Sequence, residues 1–108
     1  MKAPLEDAEQ KAVVAWLIKR NYMVVHIPNH QKMRVDLGAV PGAPDLVVIL
    51  EDAKVVWIEM KRRKNGTQSP AQIDFQCQLK QRGHYYILAK GAKQAVESFA
   101  EVLQVLGV

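Results

Sequence analysis

The run Pro44-Asp45-Leu46-Val47-Val48-Ile49-Leu50-Glu51-Asp52-Ala53-Lys54-Val55-Val56-Trp57-Ile58-Glu59-Met60-Lys61 decides the fold. Two apolar, β-branched segments flank a short polar turn, which predicts an antiparallel hairpin, 45–50 going out and 55–61 returning. After Asp45 the first strand is apolar on both faces, so it belongs inside its sheet. Side chains alternate along a strand, so Val55, Trp57, Glu59 and Lys61 share one face while Val56, Ile58 and Met60 share the other. If the turn has an odd number of residues, for example Glu51 to Ala53, Asp45 sits directly opposite Glu59. A two-residue turn instead sends the two carboxylates to opposite faces.

Outward from the hairpin, the remaining elements follow from periodicity and punctuation. Residues 4–20 read as a helix. Pro4 suits its first turn, Glu6, Asp7 and Glu9 sit at the positive dipole end, and Lys19 and Arg20 sit at the negative end. Ala8, Ala12, Val13, Trp16 and Leu17 form its apolar stripe. Met23 to Ile27 is a strand stopped by Pro28. Residues 29–43 are a long stretch without periodicity, and such loops tend to be functional. Ser69-Pro70-Ala71-Gln72 opens a helix that runs to about Arg82 and ends at Gly83. A strand over 84–89 and a helix over about 93–106 complete the order αβββαβα. That order predicts an α/β or α+β fold, a mixed central sheet flanked by helices.

The chain of 108 residues is expected to form a single domain, 1–108. It buries too small a fraction of its surface to enclose a deep small-molecule cavity, and no organic cofactor is implied. Fifteen Lys and Arg against eleven Asp and Glu leave a net charge of +4, which permits a polyanionic partner without demonstrating one. Cys77 is the lone cysteine, so a disulfide framework and a cysteine zinc site are excluded, and a reducing cytoplasm is expected. The first residues are too acidic for a signal peptide, and no apolar run is long enough to span a membrane.

The chemistry lies in the hairpin. Directly opposed Cβ atoms stand about 4.5–5.5 Å apart, and two carboxylates at that separation repel. A divalent cation resolves the conflict, since hard Mg²⁺ takes one or two carboxylates, keeps several waters and accepts phosphate oxygens. Lys61, one strand step on, can hold an attacking water or offset charge on phosphorus, which outlines a phosphodiester-hydrolysing site. The plainer reading is an ordinary edge strand with a polar face and an Asp that follows a Pro-rich turn. Against it, the charges on the Glu59 face appear only where the strand runs out, and Gly42 and Pro44 open the approach to Asp45.

Pro44-Asp45 followed by Glu59-Met60-Lys61 resembles the PD-(D/E)XK nuclease motif, and αβββαβ is the core order of that restriction-endonuclease-like superfamily. More narrowly, the chain resembles the stand-alone, phage-like form of the VRR-NUC (virus-type replication-repair nuclease) family. The resemblance rests on Glu6-x-x-x-Gln10 with Val13-Val14-x-Trp16-Leu17, His26-Ile27-Pro28-Asn29, Gly42-x-Pro44-Asp45-Leu46, Ile58-Glu59-x-Lys61, Ser69-Pro70-x-Gln72 and Leu79-x-x-x-Gly83. It implies Asp45 and Glu59 as ligands of Mg²⁺ or Mn²⁺, the Met60 carbonyl as a third ligand, and Lys61 as the catalytic lysine. It also implies an acid on the first helix. Glu6 fits that position, four residues before Gln10, and Glu9 is its rival. Gln72 has two open roles, one in a capping box with Ser69 and one beside the site.

The basic run Lys61-Arg62-Arg63-Lys64, with Lys32 and Arg34 in the long loop, supplies candidate phosphate contacts. His30 is the one histidine expected near substrate. Trp16, Trp57 and Phe75 read as core, so no stacking platform for single strands is evident and duplex or branched DNA is favoured. What the resemblance implies is a metal-dependent, structure-selective endonuclease, a homodimer acting on branched DNA such as four-way junctions, in a bacterial or phage-infected cytoplasm. A non-catalytic nucleic-acid-binding module with the same fold is the alternative, and a small structural subunit is a third.

Overall fold

The computed structural model describes residues 4–28 and 42–108, with side chains from residue 7 onward. The Glu6 side chain and residues His30, Lys32 and Arg34 therefore lie outside the described residues. The elements are α1 (Pro4–Lys19), β1 (Met23–His26), β2 (Leu46–Ile49), β3 (Val55–Lys61), α2 (Pro70–Gln81), β4 (Tyr85–Lys90) and α3 (Ala92–Leu106). They form one four-stranded sheet in the order β1-β2-β3-β4. β1, β2 and β3 are antiparallel neighbours, and β4 joins β3 in parallel after the α2 crossover. This is the mixed α+β arrangement that the element order predicts, because parallel neighbours need a crossover and antiparallel ones only a tight turn.

The β2–β3 turn is Glu51, Asp52 and Ala53, closed by the Leu50 N–H donating to the Lys54 carbonyl at 2.8 Å. Asp52 and Ala53 both take positive φ, 59° and 61°, the backbone twist that tight hairpins favour. An odd-length turn sets the register at Leu46 opposite Ile58 and Val48 opposite Val56. One step further along, Asp45 faces Glu59.

α1 and α3 pack against one face of the sheet and α2 against the other, over β4. The core between α1, α3 and the sheet holds Leu17, Leu46, Val56, Ile58, Met60 and Phe99, all closed to solvent. Phe99 makes T-shaped contacts with Trp16 and Tyr22, with centroids 6.2 and 5.1 Å away. On the α2 face Trp57 packs on Phe75 and donates its indole N–H to His84 Nδ1 at 3.2 Å, satisfying the polar end of a half-buried ring.

β2 is interior in the sheet, but its two faces are not equally covered. Leu46 and Val48 are fully buried towards α1 and α3, whereas Ile49 on the other face is 38% exposed, beside Met23 and Val25 of β1. The apolar run suggests two covered faces. Among the described residues, α2 covers β4 and the Trp57 end and leaves the β1–β2 side open.

Candidate active site

The register brings Asp45 and Glu59 to one face at the same end of adjacent strands, with Lys61 on that face too. Both carboxylates are buried, Asp45 4% and Glu59 1% exposed. Asp45 is held from two directions. Its carbonyl accepts the Ile27 N–H at 2.8 Å, extending the β1 ladder, and its Oδ2 accepts the Met60 N–H at 2.7 Å. The N–H and C=O of one strand residue point to the same edge, so the Met60 carbonyl also points towards β2. Its cross-strand counterpart there is Pro44, which has no N–H to donate. The alternation thus turns an oxygen towards Asp45 that the sheet does not use.

Glu59 is divided between its two oxygens. Oε1 accepts the Tyr86 hydroxyl at 2.6 Å. Oε2 is fully buried, receives no hydrogen bond, and lies 3.6 Å from Lys61 Nζ, an ion pair longer than a hydrogen bond. Burial raises the Glu59 carboxyl above its ordinary value; the Tyr86 hydrogen bond and then the Lys61 charge offset part of this, and the nearby Asp45 charge adds to it. The Tyr86 hydroxyl is pushed upward as well, by burial first and by Glu59 second.

Lys61 donates to Gln72 Oε1 at 2.8 Å. That same oxygen accepts the Ser69 N–H at 2.8 Å while the Gln72 N–H donates to Ser69 Oγ at 3.2 Å, a complete capping box at the start of α2. Gln72 therefore caps α2 and holds Lys61 with the same atom, because one carbonyl oxygen has two lone pairs. Ser69→Ala removes the cap and should lower stability by about 1 kcal/mol, a fall of about 4–8 °C in a circular-dichroism melt. Gly42, at φ +84°, lies against the same helical turn; a Cβ there would stand 2.3 Å from the Ala71 carbonyl oxygen. The segment carrying Pro44 and Asp45 is thus seated on the first turn of α2.

The other expected residues are more scattered. Glu9 accepts Arg63 Nη2 at 2.6 Å on one oxygen and the Ala92 N–H on the other, so both oxygens serve to join α1, the basic loop and the start of α3. Arg63 is correspondingly tied down at its tip, while Arg62 and Lys64 are exposed on the loop. Arg63 also lines a cleft of about 360 Å³ with Lys90, Lys93, Gln94 and Glu97. Tyr86, Gln68 and the packing of Gly42 carry no signal in the sequence alone. Adjacent Tyr85 and Tyr86 in a strand must face opposite sides, but only the β3–β4 register shows that Tyr86 lies diagonally beside Glu59.

No family model and no curated protein matches the chain at a significant level. Solved structures do. One described as "VRR_NUC domain protein" superimposes with a TM-score of 0.78 at 26% identity, over 96% of this chain and 92% of its own. Another, described as "VRR_NUC domain", reaches 0.71 at 22% identity over 91% and 97%. With its mixed four-stranded sheet, three helices and PD-(D/E)XK-like core, the chain is a nuclease-type domain with the fold of the VRR-NUC family.

Proposed function

We propose that this domain is a metal-dependent endonuclease that hydrolyses phosphodiester bonds in DNA. The observation that carries the reading is Glu59 Oε2, a buried carboxylate oxygen with no hydrogen-bond donor, on the face shared by Asp45 and Lys61. Buried anionic oxygens are costly unless paired or metal-bound, and the Lys61 ammonium at 3.6 Å offsets the charge of this one without donating a hydrogen bond to it. The Asp45 carboxylate, Glu59 Oε2 and the Met60 carbonyl form a hard oxygen donor set that fits Mg²⁺ or Mn²⁺. Glu6 is the helix acid in this reading, since Glu9 is committed to Arg63 and Ala92. A cation held there would act as a Lewis acid towards a phosphodiester oxygen.

The chain's own groups supply the rest. The Lys61 ammonium has three protons, one held by Gln72, so it is aimed and still able to hydrogen-bond a water or a phosphate oxygen. It also places positive charge where the attacked phosphate gathers negative charge, in a site where burial weakens solvent screening. Arg62, Lys64 and the cleft of Arg63, Lys90 and Lys93 offer contacts to neighbouring phosphates without reading sequence; Lys32 and Arg34 would extend them. So small a domain has little surface with which to wrap DNA. We propose a homodimer on branched DNA, four-way junctions included, in which two symmetric sites cut two strands.

The test is a panel of labelled linear, flap, fork and four-way DNA, with and without Mg²⁺ or Mn²⁺, for wild type, Asp45→Ala and Lys61→Ala. Cutting by the wild type only with metal, lost in both variants, is the expected result. Binding without cutting of any form, unchanged in both variants, would instead identify a non-catalytic nucleic-acid-binding module. Ultracentrifugation with substrate checks the dimer, and a strict monomer would end the account of paired cuts.

A further inference from the structure

Beneath the candidate metal ligands lies a chain of neutral side chains that the reaction scheme does not use. Gln68 Nε2 donates to Gln76 Oε1 at 2.8 Å and to the Tyr86 hydroxyl at 3.1 Å, and Tyr86 donates to Glu59 Oε1 at 2.6 Å. The direction of this chain is set by the Glu59 carboxylate, which when ionised can only accept. Gln76 offers a carbonyl oxygen, so both Gln68 amide protons have fixed destinations. The Tyr86 oxygen receives one of them and gives its single proton to Glu59. Gln68 lies in the loop after β3, Gln76 on α2 and Tyr86 on β4, so the chain joins three separate elements, and Tyr86 alone reaches the carboxylate oxygen.

A carboxylate with both oxygens unheld can rotate and can bind a cation through either or both. Here Oε1 is occupied by a buried hydroxyl, and Oε2 alone is turned towards Lys61 and left without a donor. We propose that Tyr86 is a positioning residue: its hydroxyl, itself set by Gln68, pins Glu59 Oε1 and presents Oε2 alone to the divalent cation. The inference rests on the metal reading above and extends it to residues that touch neither metal nor DNA. Outer partners of metal-bound carboxylates commonly influence affinity about 10- to 100-fold.

The test is titration calorimetry of Mn²⁺ into the protein without DNA, comparing wild type, Glu59→Gln and Tyr86→Phe, with a circular-dichroism melt of each metal-free form. Phenylalanine keeps the ring and removes only the hydroxyl. The expected result is Mn²⁺ binding by the wild type, its loss in Glu59→Gln, and an affinity about 10- to 100-fold weaker in Tyr86→Phe. A Tyr86→Phe protein that melts lower but binds Mn²⁺ within twofold of wild type would show a merely structural hydroxyl and overturn the assignment. A wild type that binds no Mn²⁺ would sink the metal reading and this inference together, whereas loss of the Tyr86 effect alone leaves that reading standing. If Tyr86→Phe does not fold, Gln68→Met carries the same comparison. It keeps the hydroxyl but removes the bond that fixes where the Tyr86 oxygen lies, so a loss of affinity supports the inference and an unchanged affinity overturns it.

Discussion

Glu59→Gln should melt at a higher temperature than the wild type when metal is absent and the pH is neutral, and it should not cut DNA. The gain comes from removing an ionised group from a buried site where one oxygen has no donor. The gain is that of removing the buried charge alone, because the glutamine N–H₂ takes the place of Oε2 and is itself left facing the Lys61 ammonium. Glutamine nearly matches the shape and keeps an oxygen for the Tyr86 hydroxyl. Part of the gain is offset because Lys61 loses its partner at 3.6 Å, although Gln72 still holds it.

The pH dependence has a definite sign. The folded-state pKa of Glu59 is raised above 4.5, so in this region the native protein binds a proton that the unfolded chain has released. The penalty of the wild-type carboxylate is absent in acid below the unfolded value. It grows as pH rises from the unfolded value to the folded one and levels off above that. The advantage of Glu59→Gln should therefore shrink as the buffer is acidified and vanish in acid, as melts of both proteins across pH would record. Saturating Mn²⁺ should reverse the ranking, since a ligand at 100 times its Kd adds about 2.7 kcal/mol to the protein that binds it. Loss of one ligand to a cation worth several kcal/mol in the transition state lowers cleavage by at least about 10²–10³-fold. A variant that is neither more stable without metal nor inactive with it would contradict the site.

Gly42→Ala should cost about 2–5 kcal/mol, the sum of left-handed strain and forced overpacking. The obstruction is backbone, since a Cβ would lie 2.3 Å from the Ala71 carbonyl oxygen and 2.7 Å from the Gln72 nitrogen, so no rotamer change relieves it. The segment would have to lift from α2 and carry Asp45 away from Met60. Gly83 is the control. It has a similar φ, +79°, but a Cβ there meets nothing within 4 Å, so Gly83→Ala carries the strain alone, about 1 kcal/mol. Urea denaturation of the two variants separates the terms. Gly42→Ala should also lose Mn²⁺ affinity while Gly83→Ala keeps it. Equal destabilisation of the two would mean that the close approach has no consequence.

The elements were legible because periodicity and punctuation agreed. Val55–Lys61 is the observed span of β3, and Ser69, Pro70 and Gln72 start α2 as a capping box should. The register was legible only conditionally. Asp52-Ala53 lacks the Asn-Gly or Asp-Gly pair that marks a two-residue turn, so turn length rested on the face on which two carboxylates would meet. Glu9 and Tyr86 were not legible in their actual roles. Alternation assigns a side chain to a face, but it says nothing about which residue of a parallel neighbour, reached across a crossover helix, will stand beside it. Glu9 has the right chemistry for a metal ligand and is instead bound to Arg63 and the start of α3, a contact across most of the chain's length.

The shared oxygen of Gln72 has a consequence for how the domain responds to warming. Helix ends fray at far smaller free energies than whole domains unfold, and here the fraying end and the anchor of the ammonium group are the same atom. Local opening at Ser69–Gln72 would release Lys61 while the sheet and its packed interior stay intact, so a few residues at one helix tip, rather than the bulk of the globule, set the thermal ceiling of the reactive arrangement.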